Sequence, residues 1–261
     1  MIDKKRSSSF QIFFGDDQYL HLKNHLYNYR LRKRAVQKCF TGEHPGMILE
    51  VGSGISPVMT SAKRMVYSDI SPQAVGILKK NLPHGRLVVA DCMHLPFRPG
   101  VFTHVIASEV IEHLEDDYGA LHEMARVLRN QGRIVLTFPH KKAYFAVDDR
   151  LVGHFRRYEI REMEDMLNDS FCRIILRGKV LGVLEKCIMI PAAVMYLFLK
   201  RRGAGKGDEA GKAYSHLLRL PLLRIFRWMN TLIMGVAWMD ARVMPFFLAS
   251  VVIIKAEKIA E

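Results

Sequence analysis

The sequence predicts a doubly wound α/β fold with a mostly parallel sheet, an N-terminal helix, and an apolar helical insertion before the last strand. Two observations support this. Short β-branched runs alternate with helical patterns between residues 47 and 138, as expected for parallel strands joined by crossover helices. The 261 residues are 49% hydrophobic and 25% charged, which is ordinary for a globular protein. This composition excludes collagen-like, low-complexity and wholly disordered classes.

Five apolar runs are predicted as the first strands: 47–51, 65–68, 87–90, 102–107 and 133–138. Residues 72–81 and 116–129 have the helical periodicity expected between strands. Ser71 followed by Pro72 predicts a helix start, because serine caps helices and proline suits the first helical position. A turn is predicted at 130–132.

The flanking segments follow the same patterns. Residues 17–40 place apolar side chains at helical spacing and predict an amphipathic helix with a basic end. After the fifth strand we expect a loop over 139–157, a helix over 159–168 and a strand over 172–178. Residues 251–255 predict the last strand.

The region 180–244 is predicted to be an insertion. Apolar stretches of 13, 12 and 12 residues occupy 187–199, 228–239 and 243–254, and each is too short to cross a bilayer. Two interpretations remain open: a helical cap packed on the domain, or an element lying on a membrane surface. The glycine-rich segment 203–211 is predicted to be a linker. The predicted units are therefore 1–46, 47–179, 180–244 and 245–261.

The positive charge is concentrated in two segments. The net charge is +13, and residues 1–38 carry nine Lys or Arg against three Asp or Glu, a net of +6. Residues 200–227 carry eight against two, again +6, so the rest of the chain is nearly neutral. These segments are either solvated faces or contacts for an anionic phospholipid surface, a phosphorylated substrate or RNA.

Cysteine spacing and the N-terminal residues bear on the cellular environment. The four cysteines lie far apart, without a C-x-x-C pair, which argues against a zinc site or a disulfide framework. The N-terminus is polar and basic with no apolar signal core behind it, so a cytoplasmic location is expected.

Acidic residues and glycines follow the first three predicted strands. Gly52 and Gly54 come directly after the first strand, where glycine allows a sharp turn and a close approach to a ligand. Asp69 and Asp91 end the second and third strands, and Glu50 belongs to the first. Because the carboxyl ends of parallel strands share one edge, these residues predict one ligand-binding crevice. The alternative is a tight turn without a ligand.

The order of these motifs resembles that of a known family. LEVGSGISP, MVYSDISP, VVADCMHLPF, FTHVIASEVIEHLED, RVLRNQGRIVLTFPH and GHFRRYEIREMEDML are similar to the motif series of class I S-adenosylmethionine-dependent methyltransferases. The likeness is to the broad group that includes ubiquinone-biosynthesis methyltransferases, and it covers residues 47–179. It implies a Rossmann-like sheet of seven strands, one of them antiparallel, with S-adenosylmethionine as the cofactor.

The resemblance also implies roles for residues of this chain. Gly52 and Gly54 would face the methionine portion of the cofactor, Asp69 the ribose hydroxyls, and Asp91 with Cys92 the adenine. The predicted cofactor contacts are Glu50, Gly52, Ser53, Gly54, Asp69, Ile70, Asp91, Cys92, Ser108 and Glu109.

Two departures from the family pattern occur near the first strand. Ser56 stands where many members have a third glycine. The stretch from Glu50 to Asp69 is short by about one helical turn, and a tightened first helix is expected to absorb the difference.

Methyl transfer mainly requires that donor and acceptor be held in line with water excluded, and some enzymes add a base. The candidate bases are His113, His140 and His154, each of which could instead be a structural hydrogen-bonding residue.

Three consecutive residues, Arg156, Arg157 and Tyr158, could clamp an anionic acceptor. Alternatively, they could pair with Glu162 or Asp165 on the next helix.

A metal site is a further alternative, although no metal is expected. Glu109, Glu112 and His113, with His154 as a fourth ligand, resemble the pattern of small-RNA 2′-O-methyltransferases. This oxygen-rich set would suit magnesium or manganese better than zinc. Alternatively, the E-x-x-E-H pattern binds no metal, and its Glu and His only cap and pack the segment that follows.

The leading functional hypothesis is methyl transfer to a small or lipid-linked acceptor at or near a membrane surface. The alternative is an RNA methyltransferase that uses the basic segments to bind phosphates, although no RNA-binding module is recognisable. A non-catalytic adapter that keeps the fold is the hypothesis from another class. A nicotinamide-dependent dehydrogenase is disfavoured, because the third glycine of G-x-G-x-x-G is absent. The sequence indicates no oligomeric state.

Overall fold

In the part of the chain that the structure describes, seven strands form one sheet. The computed structural model describes residues 23–203 and 220–259. The strands are β1 (Ile48–Val51), β2 (Met65–Asp69), β3 (Arg86–Val89), β4 (Phe102–Ser108), β5 (Leu128–Pro139), β6 (Cys172–Leu181) and β7 (Val251–Lys258). Their order is β3-β2-β1-β4-β5-β7-β6, with β1 to β5 parallel and β7 antiparallel to both β5 and β6. The predicted fold class and strand count are confirmed.

Helices cover both faces of the sheet. They are α1 (Tyr27–Lys38), α2 (Pro72–Asn81), α3 (Asp117–Val127), α4 (Val147–Val152), α5 (Ile160–Asp169), α6 (Val183–Gly203) and α7 (Leu220–Val243). Helices α3 and α5 bury Leu121 and Met166 against one face. Helices α1, α2 and α7 bury Tyr27, Leu78 and Met234 against the other. The carboxyl ends of the parallel strands lie at one edge of the sheet, between the two layers of helices.

Most predicted elements have the expected bounds, because local signals specify them. The Oγ of Ser71 accepts a hydrogen bond from the amide of Ala74 at 3.2 Å, so α2 begins where the Ser-Pro pair predicts. The predicted helix over 17–40 corresponds to α1, which begins at Tyr27. Residues 17–22 lie outside the described residues.

The expected first helix after β1 is absent. Residues 52–64 form turns and bends instead, so the prediction of a tightened helix is wrong. The carboxylate of Glu50 accepts hydrogen bonds from the amides of Val58 at 2.7 Å and Met59 at 3.1 Å. A buried side chain thus satisfies backbone donors that a helix would otherwise pair.

Two predictions around β5 are also wrong. The turn predicted at 130–132 lies within β5, where Gln131 has a φ of +59°. The loop predicted over 139–157 contains a 3-10 turn at Lys142–Tyr144 and the helix α4. Gly153 then ends α4 in the left-handed conformation, with a φ of +82°.

The insertion contains α6 and α7. The third apolar stretch, 243–254, is no helix: it forms a 3-10 turn at Phe246–Leu248 and the start of β7. Asp240 of α7 accepts a hydrogen bond from the Leu184 amide in α6 at 3.0 Å, so the two helices are joined. Residues 204–211 of the predicted linker lie outside the described residues. Within 23–203 and 220–259, none of the helices combines the length and apolarity needed to cross a membrane.

Candidate active site

A glycine turn directly after β1 forms one wall of the predicted crevice. Gly52 and Gly54 have φ values of +64° and +55°, in the left-handed region that favours glycine. A Cβ added at Gly52 would lie 2.6 Å from Cγ2 of Val110, which follows β4. The chain is therefore packed closely against the end of β4, and Gly52 leaves no room for a side chain.

The variant Gly52→Ala is expected to lower the free energy of unfolding by about 1–3 kcal/mol, because the left-handed conformation is strained and Val110 must move. Gly76→Ala is the matched control, since Gly76 is exposed within α2 and a Cβ there meets nothing within 4 Å. This control should be neutral or stabilising by up to about 1 kcal/mol. Thermal denaturation of both variants measures the difference, and equal melting temperatures would contradict the strain argument.

Asp69 lies at the end of β2 and holds the glycine turn. Its Oδ2 accepts a hydrogen bond from the Gly54 amide at 2.8 Å, and its Oδ1 accepts one from the Ser71 amide at 2.9 Å. Burial raises the pKa of Asp69, although these two hydrogen bonds oppose the shift. Each carboxylate oxygen keeps a second lone pair for a ligand hydroxyl. Next to Asp69, the side chain of Ile70 is 51% exposed and available for apolar contact.

Asp91 and Cys92 follow β3 at the next position along the same edge. Asp91 Oδ1 accepts a hydrogen bond from the Met93 amide at 3.0 Å, which fixes the turn. Burial and the Asp91 carboxylate raise the pKa of the Cys92 thiol to about 12, so it stays protonated at neutral pH. These properties suit contact with a heterocycle rather than nucleophilic chemistry.

Glu50 lies beneath the crevice as a support. Its side chain is buried, and burial raises its pKa to about 7, against the hydrogen bonds from Val58 and Met59. Each oxygen accepts one of those amides, so Glu50 fixes the shape of the turn after β1.

Several buried polar atoms at this edge lack a hydrogen-bond partner among the described residues. They include Ser53 Oγ and Glu109 Oε1. The other carboxylate oxygen of Glu109 is 2.8 Å from Arg32 of α1, and Ser108 Oγ is 2.8 Å from the Thr137 hydroxyl. Glu109 has a φ of +56°, a strained value for a residue with a side chain. Unpaired polar groups and backbone strain are typical of ligand sites.

A ligand with hydroxyl groups, a heterocycle and polar ends fits this set of residues. The glycine turn admits close approach, Asp69 offers acceptor lone pairs, Ile70 offers apolar surface, and Ser53 and Glu109 offer unpaired polar atoms. S-adenosylmethionine has these chemical features, so the residues present fit the cofactor that the sequence motifs imply.

Next to the crevice, Glu112, His113 and His154 form a cluster. One ligand atom from each lies within 4.8 Å of the others, and the two imidazole rings are 4.7 Å apart, edge to face. Glu112 is 0% exposed, and both its oxygens lack a hydrogen-bond partner among the described residues. Burial and the nearby Glu109 raise its pKa well above the ordinary value. Burial and His154 lower the pKa of His113 to about 3, which keeps that imidazole neutral.

His154 is oriented by a carboxylate that sequence reasoning missed. Asp149 Oδ1 lies 2.9 Å from Nδ1 of His154, while Nε2 of His154 lies 3.7 Å from Glu112 Oε1. Asp149 also accepts hydrogen bonds from Arg157 Nε at 2.9 Å and Lys186 Nζ at 2.9 Å. Burial would raise the pKa of Asp149, but these donors hold it below its ordinary value. No local sequence pattern signals the contact between Asp149 and Lys186, because Lys186 is 37 positions away and belongs to the insertion.

The remaining sequence candidates lie elsewhere. His140 is buried, with Nδ1 2.9 Å from the Ala249 carbonyl oxygen. The alternative pairing with Glu162 or Asp165 is wrong, and two members of the possible clamp, Arg157 and Tyr158, are buried. Arg156 pairs with Asp117 at 3.1 Å, Arg157 with Asp149, and Tyr158 donates to Asp117 at 2.7 Å. These contacts join the segment after α4 to Asp117 of α3 and to Asp149 of α4.

The cluster has the residue types of a divalent cation site. The structure brings together two imidazoles and one carboxylate. This set has a larger share of nitrogen ligands than the set expected from the sequence, because Glu109 pairs with Arg32 instead. Such mixed ligands suit zinc, manganese or iron more than magnesium. The same residues could act without a metal, with His154 accepting a proton through Nε2.

Comparisons with known proteins agree with this geometry. Residues 49–136 match the model of a family described as a methyltransferase domain. A probable S-adenosylmethionine-dependent methyltransferase of Mycobacterium tuberculosis is 26% identical over 121 residues, which cover 46% of this chain and 44% of that protein. A demethylmenaquinone methyltransferase of Streptomyces avermitilis is 29% identical over 111 residues, covering 41% and 48%.

Solved structures agree on the fold. A methyltransferase of Thermotoga maritima superposes with a TM-score of 0.61 at 14% identity, covering 96% of this chain and 99% of that one. The chain spans less than half the length of the curated relatives it matches.

Proposed function

This chain contains a class I S-adenosylmethionine-dependent methyltransferase domain, and we propose that it methylates a small, lipid-linked acceptor at an anionic membrane surface. The observation that carries the methyltransferase part is the crevice itself. The glycine turn, Asp69 and the unpaired polar atoms of Ser53 and Glu109 lie along one edge of the sheet. When bound there, S-adenosylmethionine supplies a methyl group that its sulfonium has already activated.

The residues of the chain then position the acceptor and receive its proton. Of the three candidate histidines, His154 is the one we assign to this role. Asp149 lies at Nδ1, which leaves the lone pair of Nε2 on the side of Glu112, 3.7 Å from its Oε1. His113 serves as a neutral neighbour, with Nδ1 3.2 Å from the Gly153 carbonyl oxygen. His140 is a structural residue.

A continuous apolar stripe on α7 supports the membrane part of the proposal. The core-facing residues Asn230, Met234, Ala237 and Ala241 are buried at helical spacing. At 100° per residue, the opposite side of the helix carries large apolar side chains that are 49–75% exposed. They are Ile225, Trp228, Met229, Leu232, Val236, Met239 and Val243. An exposed apolar stripe this long marks an interaction surface.

Positive charge accompanies this stripe. Arg224 and Arg227 are exposed near the start of α7, within the basic segment 200–227. Residues 1–22 and 204–219 lie outside the described residues, and together they carry a net charge of only +1. Cations beside exposed tryptophan and aliphatic side chains match an anionic lipid surface better than an RNA groove. One relative is named for demethylmenaquinone, a quinone acceptor of the proposed class.

Co-sedimentation with vesicles tests the proposal. The wild type should bind vesicles that contain phosphatidylglycerol more strongly than pure phosphatidylcholine vesicles. Changing Leu232 and Val236 together to glutamine should weaken binding by about tenfold, because roughly 1 kcal/mol or more of apolar burial is lost. Changing Arg224 and Arg227 to glutamine should weaken binding to the anionic vesicles only, by about 1 kcal/mol per charge.

Each variant should bind S-adenosylhomocysteine like the wild type, which shows that the domain is folded. Exchange of the exposed Gln73 in α2 for serine provides a surface control that should leave vesicle binding unchanged. Full vesicle binding by the Leu232 and Val236 variant would exclude the stripe as the membrane contact. Strong, salt-sensitive binding of RNA with no vesicle binding would favour the RNA acceptor instead.

A further inference from the structure

A cleft opens close to the end of α7, at the sheet edge that also carries the crevice. It has a volume of about 580 Å³, which lies in the range of small-molecule sites. His140 and Lys141, which follow β5, form one side of it. Glu159 and Arg161 at the start of α5 form another, and two aromatic rings from the turn that precedes β7 complete it. The cleft therefore lies outside the segment 49–136 that matches the methyltransferase domain.

The apolar part of the cleft continues the stripe of α7. Val243, the last residue of that stripe, is 75% exposed, and Phe247 in the following turn is 63% exposed. Phe246 is half-buried, and its ring meets that of His140 edge to face, with 6.0 Å between the ring centroids. Because only three residues separate Val243 from Phe247, a lipid surface in contact with the stripe also lies beside the cleft.

Two cations line the same cleft. Lys141 Nζ donates a hydrogen bond to the Phe247 carbonyl oxygen at 3.1 Å and lies 5.4 Å from the centroid of that ring. Arg161 is exposed near the start of α5. Within 23–203 and 220–259, no carboxylate forms an ion pair with either of these cations. Glu159 is the one carboxylate among the lining residues, so the cleft carries two formal positive charges against one negative, a net of +1.

Charge and apolar surface together indicate the class of ligand. A phosphate diester with one negative charge, attached to apolar chains, matches two cations beside exposed aromatic rings. A zwitterionic phospholipid also carries an ammonium group, which a cleft of net positive charge repels. RNA repeats its charge at every nucleotide and has no apolar chain to place against Phe247. Inorganic phosphate would use the cations and leave the aromatic rings without a contact.

We propose that this cleft binds the head group of a single anionic phospholipid, with its phosphate between Lys141 and Arg161 and its acyl chains beside Phe247. The inference rests on the membrane contact of the proposed function and deepens it. The stripe provides apolar contact with any bilayer, whereas the cleft is a saturable site that selects anionic lipid. It is separate from Arg224 and Arg227, which lie near the opposite end of α7.

Calorimetry with short-chain lipids tests this site without a bilayer. The full chain is titrated with dihexanoylphosphatidylglycerol and with dihexanoylphosphatidylcholine, each below the concentration at which it forms micelles. The anionic lipid should bind with saturation at one site per chain and more tightly than the zwitterionic lipid, because the net charge of the cleft favours an anion.

Changing Lys141 and Arg161 together to glutamine should weaken binding of the anionic lipid by about twentyfold, since each cation at a lipid surface contributes about fivefold. Changing Lys79 and Lys80 together to glutamine provides the control, because it removes the same charge from the exposed end of α2. Arg161→Gln alone should weaken binding by about fivefold, and it serves if the loss of Lys141 loosens the turn before β7. Each variant should bind S-adenosylhomocysteine like the wild type, which shows that the domain is folded.

Undiminished binding of the anionic lipid by the Lys141 and Arg161 variant would overturn the inference, as would equal binding of the two lipids by the wild type. Inorganic phosphate that binds the cleft as tightly as the anionic lipid would also overturn it, since the cleft would then be a site for free phosphate. The Leu232 and Val236 variant separates this inference from the proposed function, because it should lose vesicle binding and keep the soluble lipid. A wild type that binds the soluble lipid but no vesicles would contradict the proposed membrane contact and not the cleft.

Discussion

Replacement of Asp149 by alanine is expected to lower the free energy of unfolding by about 3–5 kcal/mol, because it breaks a buried ionic cluster. Asp149 is about 1% exposed and contacts His154, Arg157 and Lys186 at 2.8–2.9 Å. The side chains of Arg157 and Lys186 are 3% and 5% exposed, so water cannot replace the lost carboxylate. Urea denaturation of both proteins measures the difference.

Asp148 offers a matched control on the same helix. Its carboxylate is 2.6 Å from Lys186 Nζ, and that lysine keeps Asp149 when Asp148 is changed to alanine. The loss of stability should therefore be clearly smaller than for Asp149. Equal losses would show that the cluster does not centre on Asp149. Asp149→Asn should keep S-adenosylhomocysteine binding but lower the methylation rate, because an amide, unlike a carboxylate, can also donate to Nδ1 and therefore no longer fixes the proton of His154 there.

Replacement of Asp69 by alanine is expected to weaken binding of S-adenosylhomocysteine by up to about 3 kcal/mol, on the order of a hundredfold. The variant loses the acceptor for ligand hydroxyls, and it also releases the amides of Gly54 and Ser71. Those two hydrogen bonds hold the glycine turn, so the variant changes the shape of the crevice as well as removing the contact with the ligand. Isothermal titration calorimetry measures the dissociation constant.

Asparagine at position 69 separates the two effects. It keeps one carbonyl oxygen for the turn, so its loss of affinity should be smaller, about tenfold. Asp165→Ala serves as the control, since Asp165 is an exposed carboxylate on α5. Affinity unchanged by Asp69→Ala would exclude Asp69 from the cofactor site.

Short-range signals allow much of this fold to be predicted. Ser71 and Pro72 predict the start of α2, and the apolar runs 65–68 and 102–107 predict the strands β2 and β4 to within one residue. Each depends on residues within a few positions of one another. The segment after β1 is not predictable from such short-range signals. The carboxylate of Glu50 accepts hydrogen bonds from the amides of Val58 and Met59, so these amides need no partner within a helix.

The candidate site is predictable only in part, for a related reason. Strand ends identify Asp69 and Asp91, because strand position alone fixes their common edge. Arg32 and Lys186 lie near the site only through tertiary contacts, since Arg32 pairs with Glu109 and Lys186 is 37 positions from Asp149. A sequence without aligned homologues contains no signal for such pairs.

The joint between α6 and the rest of the protein has a geometric consequence. Lys186 fixes α6 to the loop of His154, and Asp240 fixes α6 to α7, whose apolar stripe is the proposed membrane contact. The stripe and the imidazole are thus connected through hydrogen bonds of 2.9–3.0 Å. If the stripe binds a bilayer as proposed, the fold sets the distance between the lipid and the imidazole of His154. Acceptors would be selected by the distance between their apolar chain and the atom that is methylated.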